Sequence, residues 1–244
     1  MSLVAADTLA LAELADLFAR GYEGYYLPIH VDEPTMRYMV ETWDIDLARS
    51  RVAPGKGVCN LGVRGERGWI GGLGVVPEAR RRGLGRALME AVLAQAPPLV
   101  TLEVLEQNEP ALRLYESLGF ERTRVLEVWS LPAQPAVAAR SVEPEPLGQS
   151  DLPWQREEGS LPPGYERIEV DGGAMLFRGG TVLQLRADDE DAAAALLSRG
   201  TALHYVNVPE GDVALGALQC LGGKRTARQF EMALVRELRP RLTA

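Results

Sequence analysis

Between Val76 and Arg86 the chain sets four arginines (Arg80, Arg81, Arg82 and Arg86) around two glycines, Gly83 and Gly85. A helix opens there, because Leu84, Ala87, Leu88, Ala91 and Val92 recur at i, i+3, i+4, i+7 and i+8 and form one apolar face. The first backbone N–H groups of a helix have no intrahelical partner, and the helix dipole favours an anion beside them. Glycines, having no Cβ, let such an anion approach the main chain closely. In a chain with a net charge of −8, this basic cluster points to a phosphate group carrying more than one charge. Blocks of like charge are commonly solvated faces; the glycines and the helix start together favour the anion.

Two nucleotide-binding loops share parts of this pattern. A P-loop needs Gly-Lys-Ser/Thr at the helix start, where the chain has Gly85-Arg86-Ala87. A dinucleotide site needs a third glycine and an acidic residue at the end of the next strand. Gly83, Gly85 and Glu103 fit part of that, but Leu88 takes the third glycine position and the turn from Pro77 to Arg82 is too long.

The elements that must hold the turn are legible around it. A glycine-rich apolar run, Trp69 to Val76, precedes it; a leucine-rich and β-branched run, Leu99 to Val104, follows the helix. A second helix from Glu109 to Leu118 is closed by Gly119. Strand, turn, helix, strand, helix predicts a parallel pairing with a helix packed on it, hence an α/β fold whose mixed sheet is flanked by helices. Gly71, Gly72 and Gly74 predict a bulge or a close backbone approach in the first strand. Short strands at 50–53 and 58–63 are expected before it, around the Pro54-Gly55-Lys56-Gly57 turn. Farther upstream, Asp7 or Thr8 caps a helix running to about Arg20, and Glu33-Pro34 starts another. Between them, Tyr22, Tyr25 and Tyr26 stand beside Gly24 and Pro28, either as a packed anchor or as a binding loop. Asp44 and Asp46, after the second helix, are carboxylates able to grip a cation.

The stretch from Trp69 to Phe120 resembles the GNAT superfamily of acyl-CoA-dependent N-acetyltransferases. The likeness lies in Val76-Pro77-x-x-Arg80-x-x-Gly83-x-Gly85 and in Leu102-Glu103-Val104-x-x-x-Asn108-x-x-Ala111-x-x-Leu114-Tyr115-x-x-x-Gly119-Phe120. These motifs cover about a fifth of the chain, and the family domain is expected over residues 1–132. The resemblance implies that acetyl-CoA is the cofactor and that Arg80, Arg81, Arg82, Gly83, Leu84, Gly85 and Arg86 form its pyrophosphate loop. It implies further that the pantetheine arm bonds main-chain groups of Leu73 and Val75, and that Asn108 bonds the same arm or serves as an ordinary N-cap. Tyr115 is then the residue that meets the departing thiolate, and Glu103 the general base. Glu103 points opposite to Leu102 and Val104 on its strand; a paired or solvated strand carboxylate is the competing reading. The implied acceptor is a primary amine of a small molecule or peptide, attacked in a ternary complex. An acyl-CoA-binding regulatory or interaction module without turnover is the alternative.

Composition narrows the class. An acidic chain of 244 residues is a poor nucleic-acid binder and suits cationic acceptors. Cys59 and Cys220 make no disulfide framework, and His30 and His204 alone make no metal site, so no metal is expected. No apolar run approaches 18 residues and no signal pattern opens the chain, which predicts no membrane association and a cytoplasmic protein.

Residues 133–163, rich in Pro, Glu and Ser, read as a linker with one anchor at Pro153-Trp154-Gln155-Arg156. Beyond it, Asp212 to Thr226 aligns without gaps on Glu109 to Thr123, with six of fifteen positions identical. Residues 164–244 are therefore expected to be a truncated, GNAT-like repeat. It carries Asp188, Asp189, Glu190 and Asp191 where the arginine-glycine turn should be, and those carboxylates would repel a diphosphate. Its expected role is structural: extending the sheet, closing the acceptor cleft, or pairing subunits in a homodimer.

Overall fold

The computed structural model describes residues 2–236. The described residues form two compact units, one of residues 2–123 with 232–236, the other of Arg124–Glu231. Both are mixed α/β, as expected.

Unit 1 runs β1 (Val4–Ala5), α1 (Leu11–Gly21), α2 (Glu33–Thr42), β2 (Arg51–Ala53), β3 (Gly57–Arg64), β4 (Arg67–Val75), α3 (Leu84–Leu93), β5 (Leu99–Leu105) and α4 (Glu109–Ser117). Strands β1 to β4 pair antiparallel in order, and β4 pairs parallel with β5. The β3–β4 register slips between Asn60 and Leu61, leaving Gly71 as the extra residue of a bulge. Alternation along β3 sends Val58 to one face and Cys59 to the other. Val58 packs with Leu14, Leu17 and Phe18 of α1 and Met36 and Met39 of α2. Cys59 meets α3, its Sγ 3.6 Å from Met89 Sδ. Burying a leucine such as Leu14 fully stabilises the fold by about 2 kcal/mol.

The caps follow the sequence with small shifts. Asp32, one residue before the expected start, caps α2 through the Thr35 N–H. Asp7 and Thr8 fall in a short 3-10 turn, and α1 begins after Ala10, whose N–H donates to the Glu13 carboxylate at 3.1 Å. The glycines of β4 have reasons of their own. A Cβ on Gly71 would stand 2.7 Å from the Trp69 ring, and one on Gly72, which has φ of 152°, would stand 2.6 Å from the Phe18 ring. A Cβ on Gly21 would lie 2.8 Å from the Gly74 Cα, so the end of α1 crosses β4 backbone to backbone.

Unit 2 takes most of β6 (Glu121–Leu131) and continues with β7 (Arg140–Val142), β8 (Glu166–Val170), β9 (Gly173–Arg178), β10 (Thr181–Ala187), α5 (Glu190–Leu197), β11 (Leu203–Pro209), α6 (Ala214–Cys220) and β12 (Lys224–Val235). Here β7 to β10 pair antiparallel in order, β10 pairs parallel with β11, and β11 pairs antiparallel with β6. The repeat seen in sequence becomes α6 in the place of α4 and β12 in the place of β6. Leu196 and Leu197 of α5 and Ala217 and Leu218 of α6 pack with Met175, Val182 and Tyr205. The stretch expected as a linker holds β7 and several buried side chains, among them Leu147, Trp154 and Arg156. Strand β12 leaves unit 2 at Met232 and ends in unit 1 beside β5.

Candidate active site

The parallel ladder between β4 and β5 stops at the pair Trp69–Thr101. Beyond it β4 continues to Val75 and β5 to Leu105 without pairing to each other. On the β3 side, the Val76 N–H donates to Lys56 O at 2.9 Å. Alternation along an antiparallel strand then turns the N–H and C=O of Val75 and Leu73 to the opposite edge, toward the opening. Main-chain donors on an unpaired edge are what an amide-bearing arm needs to lie down as an added strand.

At the end of that edge the chain turns into α3. Arg81 has φ of 58° and Gly83, the N-cap, has φ of 79°. No side chain caps α3. Its first amides therefore face outward from a left-handed turn, a concavity that suits an anion. A cavity of about 450 Å³ joins the edge to this turn. It is lined by Leu73 and Val75, by the residues from Arg80 to Gly85 apart from Arg82, and by Asn108. Arg82 and Arg86, both exposed, stand outside the lining; Arg86 donates to Ser117 Oγ at 2.5 Å.

Arg80 does something the sequence did not suggest. Its Nε donates to Val75 O at 2.8 Å, and its Nη2 to Glu23 O at 2.6 Å and Gly21 O at 3.1 Å. The guanidinium ties the end of α1 to the end of β4, across the head of the cavity. That clasp holds the tyrosine loop in place. Tyr22 stacks on Phe18 with centroids 4.8 Å apart, and Tyr25 meets Tyr22 edge-on at 5.1 Å. The Tyr22 phenol oxygen faces the Leu73 N–H, and the Tyr25 phenol meets the Asn108 side chain. Asn108 also caps α4, accepting from the Ala111 N–H at 3.4 Å.

Of the two expected catalytic side chains, Tyr115 is buried beside this loop. Burial first, then the neighbouring Tyr22, Cys59 and Tyr25, hold its hydroxyl well above the usual phenol value. Glu103 sits farther along β5, where its Oε2 accepts from the Trp69 indole at 2.7 Å. The Trp69 ring is crossed edge-on by Trp43 at 5.8 Å. Neither Tyr115 nor Glu103 belongs to the cavity lining. Asp44 and Asp46 are engaged by the chain's own arginines, Asp44 with Arg64 at 2.6 Å and Asp46 with Arg49 at 3.3 Å. Among the described residues, no three His, Cys, Asp or Glu side chains gather as a metal site would require.

The profile of the acetyltransferase (GNAT) family matches residues 14–120. The matched span lies within unit 1. Over 46 residues the chain is 48% identical to the peptidyl-lysine N-acetyltransferase YiaC of Escherichia coli; this covers 19% of the chain and 31% of that relative. The chain thus spans less than a third of that relative's length in the match. Among solved structures, a GCN5-related N-acetyltransferase from Sphaerobacter thermophilus superposes with a TM-score of 0.66 at 17% identity, covering 96% of this chain and 95% of that one. A tandem GNAT protein from the clavulanic acid biosynthesis pathway superposes with a TM-score of 0.61 at 15% identity, covering 98% and 99%. At these identities the likeness is one of fold.

Unit 2 presents the same strand opening with different contents. Its β10–β11 ladder ends at Val182–Tyr205. Just past that pair, the buried Arg156 guanidinium donates to Leu183 O at 3.3 Å on one strand and to Asn207 O at 2.9 Å on the other. It also lies over the Tyr205 ring, 4.6 Å from its centroid. Helix α5 carries its own cap, Asp189, which accepts from the Ala192 N–H at 2.8 Å. Unit 1 differs on both counts: α3 has no side-chain cap, and Arg80 engages the β4 carbonyl of Val75 but no carbonyl of β5.

Proposed function

We propose that the chain transfers the acetyl group of acetyl-CoA to a primary amine of a small molecule or peptide, using unit 1. The carrying observation is the continuous track of outward main-chain donors, from Leu73 and Val75 on the β4 edge to the uncapped amides behind Gly83. The residues present fit the cofactor: Gly83 has nothing within 4 Å of its Cβ position, and the corresponding atoms for Gly85 are 3.7 Å or more away. The loop amides with Arg81, and with Arg82 and Arg86 from the rim, would hold the diphosphate; Val75 and Asn108 would hold the arm, and Leu73 its acyl end. When bound, acetyl-CoA supplies an acyl carbon to which the amine nitrogen bonds as the C–S bond breaks, its electron pair leaving on sulfur and the amine proton passing to a base.

A lysine-like amine is neutral only about once in 2500 molecules at pH 7, so that base matters. Glu103 is the carboxylate proposed for it. Tyr115 would donate a hydrogen bond toward the sulfur; full proton transfer from a phenol to a thiolate is uphill by roughly 2 kcal/mol. YiaC, by its name, acts on peptidyl lysine, which supports an amine acceptor of this kind. Unit 2 is proposed to be a non-catalytic copy that takes no cofactor, because Arg156 bridges its strand opening and Asp189 caps its helix. Calorimetry with acetyl-CoA, followed by thiol release across a panel of amines, tests the reading. A missing heat signal, together with indifference to bulky side chains at Gly83 and Gly85, would refute it.

A further inference from the structure

We propose that Tyr22 is a second hydrogen-bond donor, beside the Leu73 N–H, for the carbonyl oxygen of the acyl group. The inference rests on the acetyl-CoA reading above and deepens it. Leu73 is the main-chain donor nearest the bulge on the open β4 edge, and a polarised carbonyl needs such a donor preorganised. Opposite that N–H the structure sets the phenol oxygen of Tyr22. The placement is fixed from several directions. Tyr22 directly follows Gly21, whose backbone is pressed against Gly74. Its ring is stacked on Phe18 and walled by Tyr25. Its oxygen lies 3.1 Å from the Cβ position of Gly72, where only glycine leaves room for it.

A phenol oxygen held beside the Leu73 N–H, 3.1 Å from the Cβ position of the preceding Gly72, marks a place where another oxygen can be bound. The phenol keeps its proton there, since burial raises its hydroxyl above the usual value. A small shift of the ring lets the phenol O–H donate to an incoming carbonyl oxygen while the Leu73 N–H donates to the same atom. Two donors converging on one oxygen, away from bulk water, polarise the carbonyl more than either alone. Tyr22 gives up no proton in this role.

The test compares the native protein with Tyr22→Phe, which keeps the stack on Phe18 and removes only the hydroxyl. Calorimetry is run with CoA and with acetyl-CoA, and the carbonyl stretch of bound [1-¹³C]acetyl-CoA is read by infrared difference spectroscopy. The native protein should bind acetyl-CoA more tightly than CoA and lower the carbonyl frequency. In Tyr22→Phe the CoA affinity should stay within about twofold, reporting an intact fold. The preference for acetyl-CoA should shrink severalfold, the stretch should move back toward its free value, and kcat should fall about 10²-fold with little change in KM. An unchanged stretch and an unchanged preference would overturn the proposal. So would tighter binding of both ligands by the variant, which would make the phenol an occupant that the ligand displaces. If the native protein binds neither ligand, the acetyl-CoA reading falls and this one with it; binding without the Tyr22 effect sinks only the second donor.

Discussion

Glu103 shares one carboxylate oxygen with the Trp69 indole, and that contact shapes what its removal should do. Glu103→Gln keeps an oxygen for the indole N–H, so the fold should survive while the base is lost. At neutral pH, kcat/KM should drop by about 10²–10⁴-fold; near-native kinetics would pass the role to a water. Tyr115→Phe should lower kcat more than acetyl-CoA affinity, as steady-state kinetics alongside calorimetry would report. The buried hydroxyls and thiol also set a pH limit. Tyr22, Tyr115 and Cys59 all titrate above their ordinary values because burial disfavours their charged forms. Above about pH 8.5 for a free thiol and about pH 10 for a free phenol, the unfolded chain releases protons that the folded chain keeps. Stability is therefore full below those values and falls as pH rises past them. Urea midpoints measured from pH 7 to 11 should decline at the alkaline end, and less steeply in Cys59→Ala. Single residues were unevenly legible in the sequence. The family resemblance singled out the loop glycines, Asn108 and Leu73, and they line one cavity; Arg80 read as one charge among four, because nothing local says that three backbone carbonyls converge on it.

At the scale of elements, the crossing of α1 over β4 depends on two glycines from different segments. Gly21→Ala or Gly74→Ala would force the helix off the strand, since the new Cβ would stand 2.8 or 3.2 Å from opposing backbone. Either change should cost about 1–3 kcal/mol in a denaturant melt and loosen the Tyr22 loop. Gly71, Gly72 and Gly74 were readable as a bulge or a close approach, but not the partner, since the pairing lies some fifty residues away in the chain. Most strands and helices were readable for the ordinary reason that periodicity and caps agreed. Helix α1 began later than expected because the Glu13 side chain took the Ala10 N–H and left Asp7 to a separate turn. In unit 2, Arg156 is an element's worth of structure in one side chain. Arg156→Ala would strand the carbonyls of Leu183 and Asn207 and open a cavity, at a cost of about 3 kcal/mol or more. Acetyl-CoA affinity should be unchanged, which calorimetry on the variant would check.

For the molecule as a whole, one acetyl-CoA should bind per chain. A calorimetric stoichiometry of two would mean that the second strand opening accepts a ligand despite Arg156 and Asp189. The sequence showed the repeat through Asp212 to Thr226, where identities were dense enough to survive without gaps. It did not show that residues 133–163 contribute a strand and a buried guanidinium, because Pro- and Glu-rich composition speaks only to how little apolar surface a segment offers. Nor did it show that β12 would run on past Glu231 to finish unit 1. There Arg236 donates to the carbonyls of Leu93 at 2.5 Å and Pro97 at 2.8 Å, around the end of α3. Arg236→Ala should cost unit 1 about 1–3 kcal/mol, visible as an earlier urea transition.

That last strand has a consequence for how the protein is made. Unit 1 takes its last strand from residues 232–235, so a ribosome must release the chain past them before that unit can close. Until then, the edge of β5 waits uncovered, a sticky surface in need of a chaperone's shelter. A gene fragment ending near residue 132 should consequently yield insoluble or poorly ordered product, and supplying the missing strand through a circularly permuted gene should rescue it.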